Sequence, residues 1–137
     1  MPLEYLNADD GHRIALHSWP AQGQAQGALI WLHGMAEHGG RYAPLADALN
    51  AAGWHLYCPD HRGHGASVGD GELRGHFADQ EGWQRVLADV ARVQQYVAER
   101  HDKLPLVLAG HSMGSFIALA YAQQHGRTLD GLILCGS

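Results

Sequence analysis

The sequence predicts an α/β protein with a predominantly parallel sheet and helices on both faces. Two observations lead to this fold class. Short, continuously apolar runs recur along the chain, and segments with helical spacing of apolar residues separate them. Strands that are covered on both faces are apolar throughout, and their alternation with helices is typical of a parallel sheet. A functional site in such a sheet lies at the carboxyl ends of the strands, where this sequence carries histidine, aspartate and serine.

Two segments at the N-terminus are predicted to pair as a hairpin. Residues 3–7 form the first candidate strand, and the Asp-Asp-Gly sequence that follows is a turn signal. Residues 12–19 alternate in polarity and end at a proline, which suits the second strand of a hairpin.

From residue 28 onward, apolar runs and helical patterns alternate. The candidate strands are 28–32, 54–58, 106–110 and 131–135, and the candidate helices are 42–52, 79–101 and 113–125. In the second helix, Trp83 and a stripe of four valines are predicted to pack on the sheet. Residues 60–76 are polar and rich in glycine, so we expect a loop there.

Composition and charge argue against several classes of protein. The 137 residues suffice for one domain with a sizeable core, and the net charge of −5 without a run of Lys or Arg argues against a nucleic-acid partner. No basic leader and no apolar stretch of about 18 residues is present, so we expect no transmembrane segment and a cytoplasmic protein. Cys58 and Cys135 end apolar runs and are predicted to be reduced thiols.

The sequence Gly110-His111-Ser112-Met113-Gly114 matches the pattern G-x-S-x-G between a candidate strand and a candidate helix. This pattern produces a sharp strand-to-helix turn that exposes the serine hydroxyl, and the two glycines keep side chains away from the neighbouring strand and helix. We therefore predict Ser112 as a nucleophile, with Gly110 and Gly114 as the glycines of the elbow. The alternative is an ordinary turn in which Ser112 caps the helix.

A serine nucleophile of this kind needs two backbone N–H donors for the negatively charged oxygen of its intermediate. One donor belongs to the residue after the nucleophile, and the other to the loop after an earlier strand. These positions are Met113 and Met35, the latter following His33-Gly34 at the end of an apolar run. The backbone N–H groups of Met35 and Met113 are therefore the predicted oxyanion hole.

Three stretches together resemble a known family. They are HGMAEHGGRY at 33–42, DHRGHGAS at 60–67 and AGHSMGS at 109–115. In order and spacing they are similar to the α/β-hydrolase fold, and within it to the monoacylglycerol lipase and lysophospholipase-like group of serine aminopeptidase S33-type hydrolases. The resemblance covers essentially the whole chain, with Ala36 and Ser115 standing where the family often has glycine; we expect these small residues to be tolerated.

The resemblance implies an esterase that acts on monoacylglycerol- or lysophospholipid-like esters through an acyl-enzyme and needs no cofactor. Its substrate would be a small-molecule ester, and Ser112, Met35 and Met113 would have the roles given above. In this family the triad Asp and His follow the serine on later strands. Residues 1–137 then correspond to the N-terminal portion of a single α/β-hydrolase domain, truncated after the sixth strand, without the triad Asp and His.

Two alternatives to a complete esterase stay open. The chain could be a catalytically incomplete fragment that acts as a complementing or binding half, with a possible C-terminal half as its partner and an unpaired edge at 131–135. An acyltransferase or perhydrolase with the same elbow would share every motif.

A residue within this chain could in principle replace the missing base. Of the eleven histidines, those near predicted strand ends are His33, His38, His61, His64, His76 and His111. None is assigned as base, and Asp60 and Glu37 are predicted to order loops by accepting backbone N–H hydrogen bonds. A zinc site at His61-x-x-His64 lacks cysteine and spaced carboxylates, so no metal site is predicted.

Overall fold

The computed structural model describes residues 3–137 and contains one six-stranded mixed sheet. The strands are β1 (Leu3–Asn7), β2 (Arg13–Trp19), β3 (Gly27–Leu32), β4 (Trp54–Pro59), β5 (Leu106–His111) and β6 (Gly131–Cys135). The helices are α1 (Ala43–Ala51), α2 (Gly82–Arg100) and α3 (Met113–His125), and short 3-10 turns cover Gly39–Tyr42, Gly65–Ser67 and Gly126–Thr128. Every predicted strand is present, with bounds that differ by one residue at most.

The strand order across the sheet is β1-β2-β4-β3-β5-β6. The central strand β3 runs parallel to β4 and β5, and β6 runs parallel to β5. The hairpin of β1 and β2 extends the sheet in the antiparallel direction beyond β4. The carboxyl ends of β3, β4 and β5 therefore meet at one end of the sheet.

Helices cover both faces of the sheet, as predicted. On one face, Ile30 of β3 and Leu108 of β5 belong to a core that includes Val86 and Val90 of α2. On the other face, Leu29 of β3 packs in a second core with residues of α1. Successive residues of β3 thus face opposite layers, which explains why the strand is apolar throughout.

The start of α2 differs from the prediction. The helix begins at Gly82 rather than at residue 79, because Glu81 has a left-handed backbone with φ of 56°. The four valines of the stripe are buried, but Trp83 is 40% exposed. The prediction that Trp83 packs in the core is wrong, because the buried face of α2 begins one turn later with Val86.

The sheet ends at β6, whose outer edge pairs with no strand among residues 3–137. Leu132, Ile133 and Leu134 are each more than a third exposed, and Phe116 on the neighbouring helix α3 is 54% exposed. This edge therefore presents both unpaired backbone groups and apolar side chains. Within the described residues, no helix is long and apolar enough to span a membrane.

Candidate active site

The ends of β3, β4 and β5 bring the predicted site residues together. A Cβ atom built on Gly34, after β3, would lie 3.3 Å from Cβ of Ser112, after β5. The backbone N of His61, after β4, lies 3.0 Å from Nε2 of His33. Residues 34, 61 and 112 are far apart in sequence, and the parallel arrangement of the three strands makes them neighbours.

Ser112 occupies the sharp turn between β5 and α3. Its φ of 54° and ψ of −118° lie outside the regions that most non-glycine residues adopt. Its N–H donates to the carbonyl of Cys135 at 2.9 Å, and its carbonyl accepts from N and Oγ of Ser115 at 2.9 and 2.6 Å. These contacts hold a conformation that costs about 1–3 kcal/mol.

The Ser112 hydroxyl makes no capping hydrogen bond to α3. In an ordinary helix cap, the side-chain oxygen would accept a hydrogen bond from an N–H of the first turn. The geometry therefore disfavours the alternative in which Ser112 is only a cap. The same turn leaves the N–H of Met113, the first residue of α3, without an acceptor inside the helix.

The two elbow glycines are required by backbone packing. A Cβ on Gly110 would lie 2.2 Å from the carbonyl oxygen of Gly114. A Cβ on Gly114 would lie 2.0 Å from the carbonyl oxygen of Leu32, at the end of β3. Both distances are far below van der Waals contact, and the atoms that would be struck belong to the backbone. The sequence-based explanation of these glycines agrees with this packing.

Met35 lies in the loop after β3 and follows Gly34, the residue that lies beside Ser112. No hydrogen bond from the N–H of Met35 occurs within the described residues, and its side chain is 72% exposed. The next residue, Ala36, has φ of 63°, a left-handed conformation that favours glycine. Alanine at this position therefore adopts a conformation that has an energetic cost, and the expectation that it is tolerated stays a prediction.

Two carboxylates order the loops around the site, as predicted. Glu37 accepts a hydrogen bond from the N–H of Gly34 at 2.7 Å and pairs with Arg41 at 2.6 Å. Burial alone would raise the pKa of Glu37, but these bonds outweigh it and lower the pKa. Asp60 accepts from the N–H groups of Gly39 at 2.6 Å and Ala66 at 2.9 Å.

Asp60 also binds His17 of β2, which sequence reasoning missed. The Nε2 atom of His17 lies 3.1 Å from Oδ1 of Asp60. Burial would raise the pKa of Asp60, and the hydrogen bonds from His17 and the two backbone N–H groups together lower it. Asp60 is therefore an ionised anchor beneath the loop that follows β4.

Two histidines near the site bind backbone groups through their rings. His33 binds Gly34 and the backbone of His61. His64 donates from Nδ1 to the carbonyl of Arg62 at 3.2 Å, and its buried Nε2 has no hydrogen-bond partner among the described residues. His76 is exposed and pairs with Asp79 at 2.9 Å. Within residues 3–137, no three metal-ligating side chains lie close enough together to hold a metal ion.

A buried ion network that the sequence did not predict lies at the loop after β4. Arg62 is 2% exposed and forms paired hydrogen bonds to Asp89 of α2 at 2.7 and 2.9 Å, and to Asp10 of the hairpin turn at 2.9 and 3.1 Å. The guanidinium holds the pKa of Asp10 well below its usual range, whereas burial raises that of Asp89. The sequence contains one indication of a buried ion pair, since Asp89 is a charged residue on the apolar face of α2.

Comparisons with known proteins agree with this fold. The carboxyl esterase of Bacillus coagulans, solved in complex with glycerol, superposes with a TM-score of 0.90 at 31% identity and covers 98% of this chain and 43% of its own. A soluble variant of monoglyceride lipase from Saccharomyces cerevisiae, in complex with a substrate analogue, gives a TM-score of 0.83 at 29% identity and covers 97% of this chain and 43% of its own. The chain thus has the α/β-hydrolase fold.

The family follows from a match over most of the sequence. Residues 23–137 match the serine aminopeptidase S33 family, and the chain belongs to it. A monoacylglycerol lipase of Mycolicibacterium smegmatis is 35% identical over 126 residues, which are 92% of this chain and 43% of that protein. The chain therefore spans about two fifths of the length of the curated relatives it matches.

Proposed function

We propose that this chain is the nucleophile-bearing part of a serine hydrolase that cleaves monoacylglycerol- or lysophospholipid-like esters through an acyl-enzyme. The observation that carries the proposal is the backbone of Ser112, held at φ of 54° on a strand-to-helix turn directly beside Gly34. Relatives that are monoacylglycerol lipases support the ester as the bond cleaved. Residues 1–137 are then the N-terminal portion of a single catalytic domain.

The proposed reaction begins when Oγ of Ser112 attacks the carbonyl carbon of the ester. The C–O bond forms, the carbonyl electron pair moves to the oxygen, and the hydroxyl proton passes to a histidine base. The N–H groups of Met35 and Met113 bind the resulting oxyanion, and the positive end of α3 adds to its stabilisation. Collapse releases the alcohol with that proton, and water then hydrolyses the acyl-enzyme by the same route.

The base and the acid that orients it are proposed to come from outside residues 1–137. Both ring nitrogens of His33 and the Nε2 atom of His61 are engaged in hydrogen bonds to the backbone, and we assign none of the described histidines as the base. The relatives contain more than half of their length beyond the part that matches this chain. A C-terminal half that supplies both residues, on the same or a separate chain, would complete the triad.

The exposed edge of β6 is where we propose that this half docks. Leu132, Ile133 and Leu134 are partly exposed beside Phe116, and the strand has a free hydrogen-bonding edge among the described residues. A further parallel strand there would pair the free backbone groups and cover apolar surface. If residues 1–137 act alone, the alternative is a catalytically incomplete half that binds such a partner.

The test measures fatty-acid release from monoacylglycerol and lysophospholipid by the protein at the length its gene encodes. We expect release from at least one of the two esters, and a loss of about 10⁴-fold or more in Ser112→Ala. Ser18→Ala is the matched control, because the Ser18 hydroxyl is buried and has no hydrogen-bond partner among residues 3–137. Release that survives in Ser112→Ala, or hydrolysis of neither ester, would contradict the proposal.

A further inference from the structure

His33 and His61 bind each other's backbone at the ends of β3 and β4. The N–H of His61 donates to Nε2 of His33 at 3.0 Å, and Nε2 of His61 donates to the carbonyl oxygen of His33 at 3.1 Å. Both rings are buried, with exposures of 0% and 3%, and their centroids lie 4.2 Å apart. The two strand ends are thus joined by a reciprocal pair of side-chain-to-backbone hydrogen bonds.

These contacts allow His33 one protonation state. Its Nδ1 lies 2.7 Å from the carbonyl oxygen of Gly34, which can only accept, so Nδ1 carries the proton. The N–H of His61 can only donate, so Nε2 of His33 is bare. Burial, opposed in part by the bond to Gly34, lowers the pKa of His33 to about 4, which agrees with a neutral ring at pH 7.

The hydrogen bonds of the Gly34 carbonyl fix where the N–H of Met35 points, since this oxygen accepts from Nδ1 of His33 at 2.7 Å and from the N–H of Glu37 at 3.2 Å. The carbonyl of Gly34 and the N–H of Met35 belong to one planar trans peptide, in which they point in opposite directions. Holding the carbonyl at His33 therefore aims the N–H away from His33. The other side of Gly34 is held as well, because its own N–H donates to Oε1 of Glu37 at 2.7 Å.

We propose that His33 and His61 are positioning residues that keep the N–H of Met35 aimed at the oxyanion, with His61 acting through His33. The proposal rests on the proposed function, since the oxyanion is that of the ester intermediate. A rotated Gly34–Met35 peptide would present a carbonyl oxygen instead of a donor. His61 stabilises the required orientation by holding both the ring and the carbonyl of His33.

The test compares His61→Phe and His61→Gln in ester hydrolysis by the protein at the length its gene encodes. Phenylalanine keeps a ring but cannot donate, whereas the side-chain amide of glutamine can replace the Nε2 donor. An oxyanion donor acts mainly in the transition state, so we expect His61→Phe to lower kcat by about 10- to 100-fold with little change in KM. His61→Gln should recover part of that loss.

A control and a second readout keep the outcomes separate. His125→Phe, at the far end of α3 and roughly 18 Å along the helix from Ser112, should keep the wild-type kcat. Nitrogen-15 NMR of the wild-type chain should show His33 protonated on Nδ1, even if His61→Phe does not fold. A proton on Nε2 of His33, or a folded His61→Phe with wild-type kcat, would overturn the proposal. An inactive wild type that still shows the Nδ1 tautomer would contradict the proposed function, but it would support the claim that His33 orients the Gly34–Met35 peptide.

Discussion

The substitution Gly114→Ala tests whether the close approach of α3 to β3 builds the elbow. The added Cβ would lie 2.0 Å from the carbonyl oxygen of Leu32 and 2.6 Å from that of His33. Neither neighbour is a side chain that could rotate away. The end of β3 and the start of α3 would have to separate by about 1 Å or more to relieve the overlap.

The expected cost is at the upper end of the range for overpacking. Inserting a methyl group into a packed interior costs about 1–3 kcal/mol, and here the displaced atoms belong to a central strand. We therefore expect Gly114→Ala to lose about 3 kcal/mol of the free energy of unfolding. With a urea m-value of about 1.5–2 kcal/mol per molar, the unfolding midpoint should fall by about 1.5–2 M.

The assay is urea unfolding followed by circular dichroism, with Gly126→Ala as the matched control. Gly126 has φ of −58°, and a Cβ there would meet no atom of the described residues within 4 Å. Alanine at such a position should leave stability unchanged or raise it by about 0.4–1 kcal/mol. Equal midpoints for the two variants would refute the reasoning that backbone contact requires glycine at 114.

Three further predictions concern stability. Ala36→Gly should raise the free energy of unfolding by about 1 kcal/mol, because φ is 63° there. The control Ala88→Gly, in the exposed part of α2, should lower the free energy of unfolding by a similar amount. Urea melts that shift in the same direction for both variants would contradict this. The ordinary pKa of histidine is 6.5, and the pKa of His33 in the folded chain is about 4, so between these pH values only unfolded His33 takes up a proton. The free energy of unfolding should therefore fall by about 3 kcal/mol as the pH drops through that window. Urea midpoints that stay constant from pH 7 to pH 4.5 would show that His33 is not held neutral. Arg62→Met should lower the free energy of unfolding by about 3–5 kcal/mol, because it leaves Asp89 buried and unpaired. Adding Asp89→Leu should recover part of this loss, as measured by thermal melts. A double variant less stable than Arg62→Met would argue against the pairing.

Most of the sheet could be predicted because its signals are local. The central strands are apolar throughout, glycine or proline stands beside most of them, and their bounds agree with the prediction to within one residue. The predicted start of α2 at residue 79 is wrong because the left-handed backbone of Glu81 delays the helix until Gly82. A backbone conformation of this kind leaves no pattern in the sequence.

The candidate site was predictable where a motif places residues next to one another along the chain. The elbow around Ser112 and the loop with Met35 are contiguous patterns whose geometry follows from backbone sterics. The network of Arg62 with Asp10 and Asp89 joins residues 52 and 27 positions apart, so only the fold brings them together. The pairing of His33 with His61 was missed for the same reason.

Covalent labelling of the chain by a fluorophosphonate, followed by peptide mass mapping, tests most directly whether this fold activates Ser112. We expect one adduct, on Ser112, which forms faster in the folded chain than in urea and is absent in Ser112→Ala. Without the triad histidine this labelling should be slow, and a C-terminal half that supplies the base should accelerate it. An adduct on another serine, or the same rate in folded and unfolded chains, would contradict the claim that this fold activates Ser112.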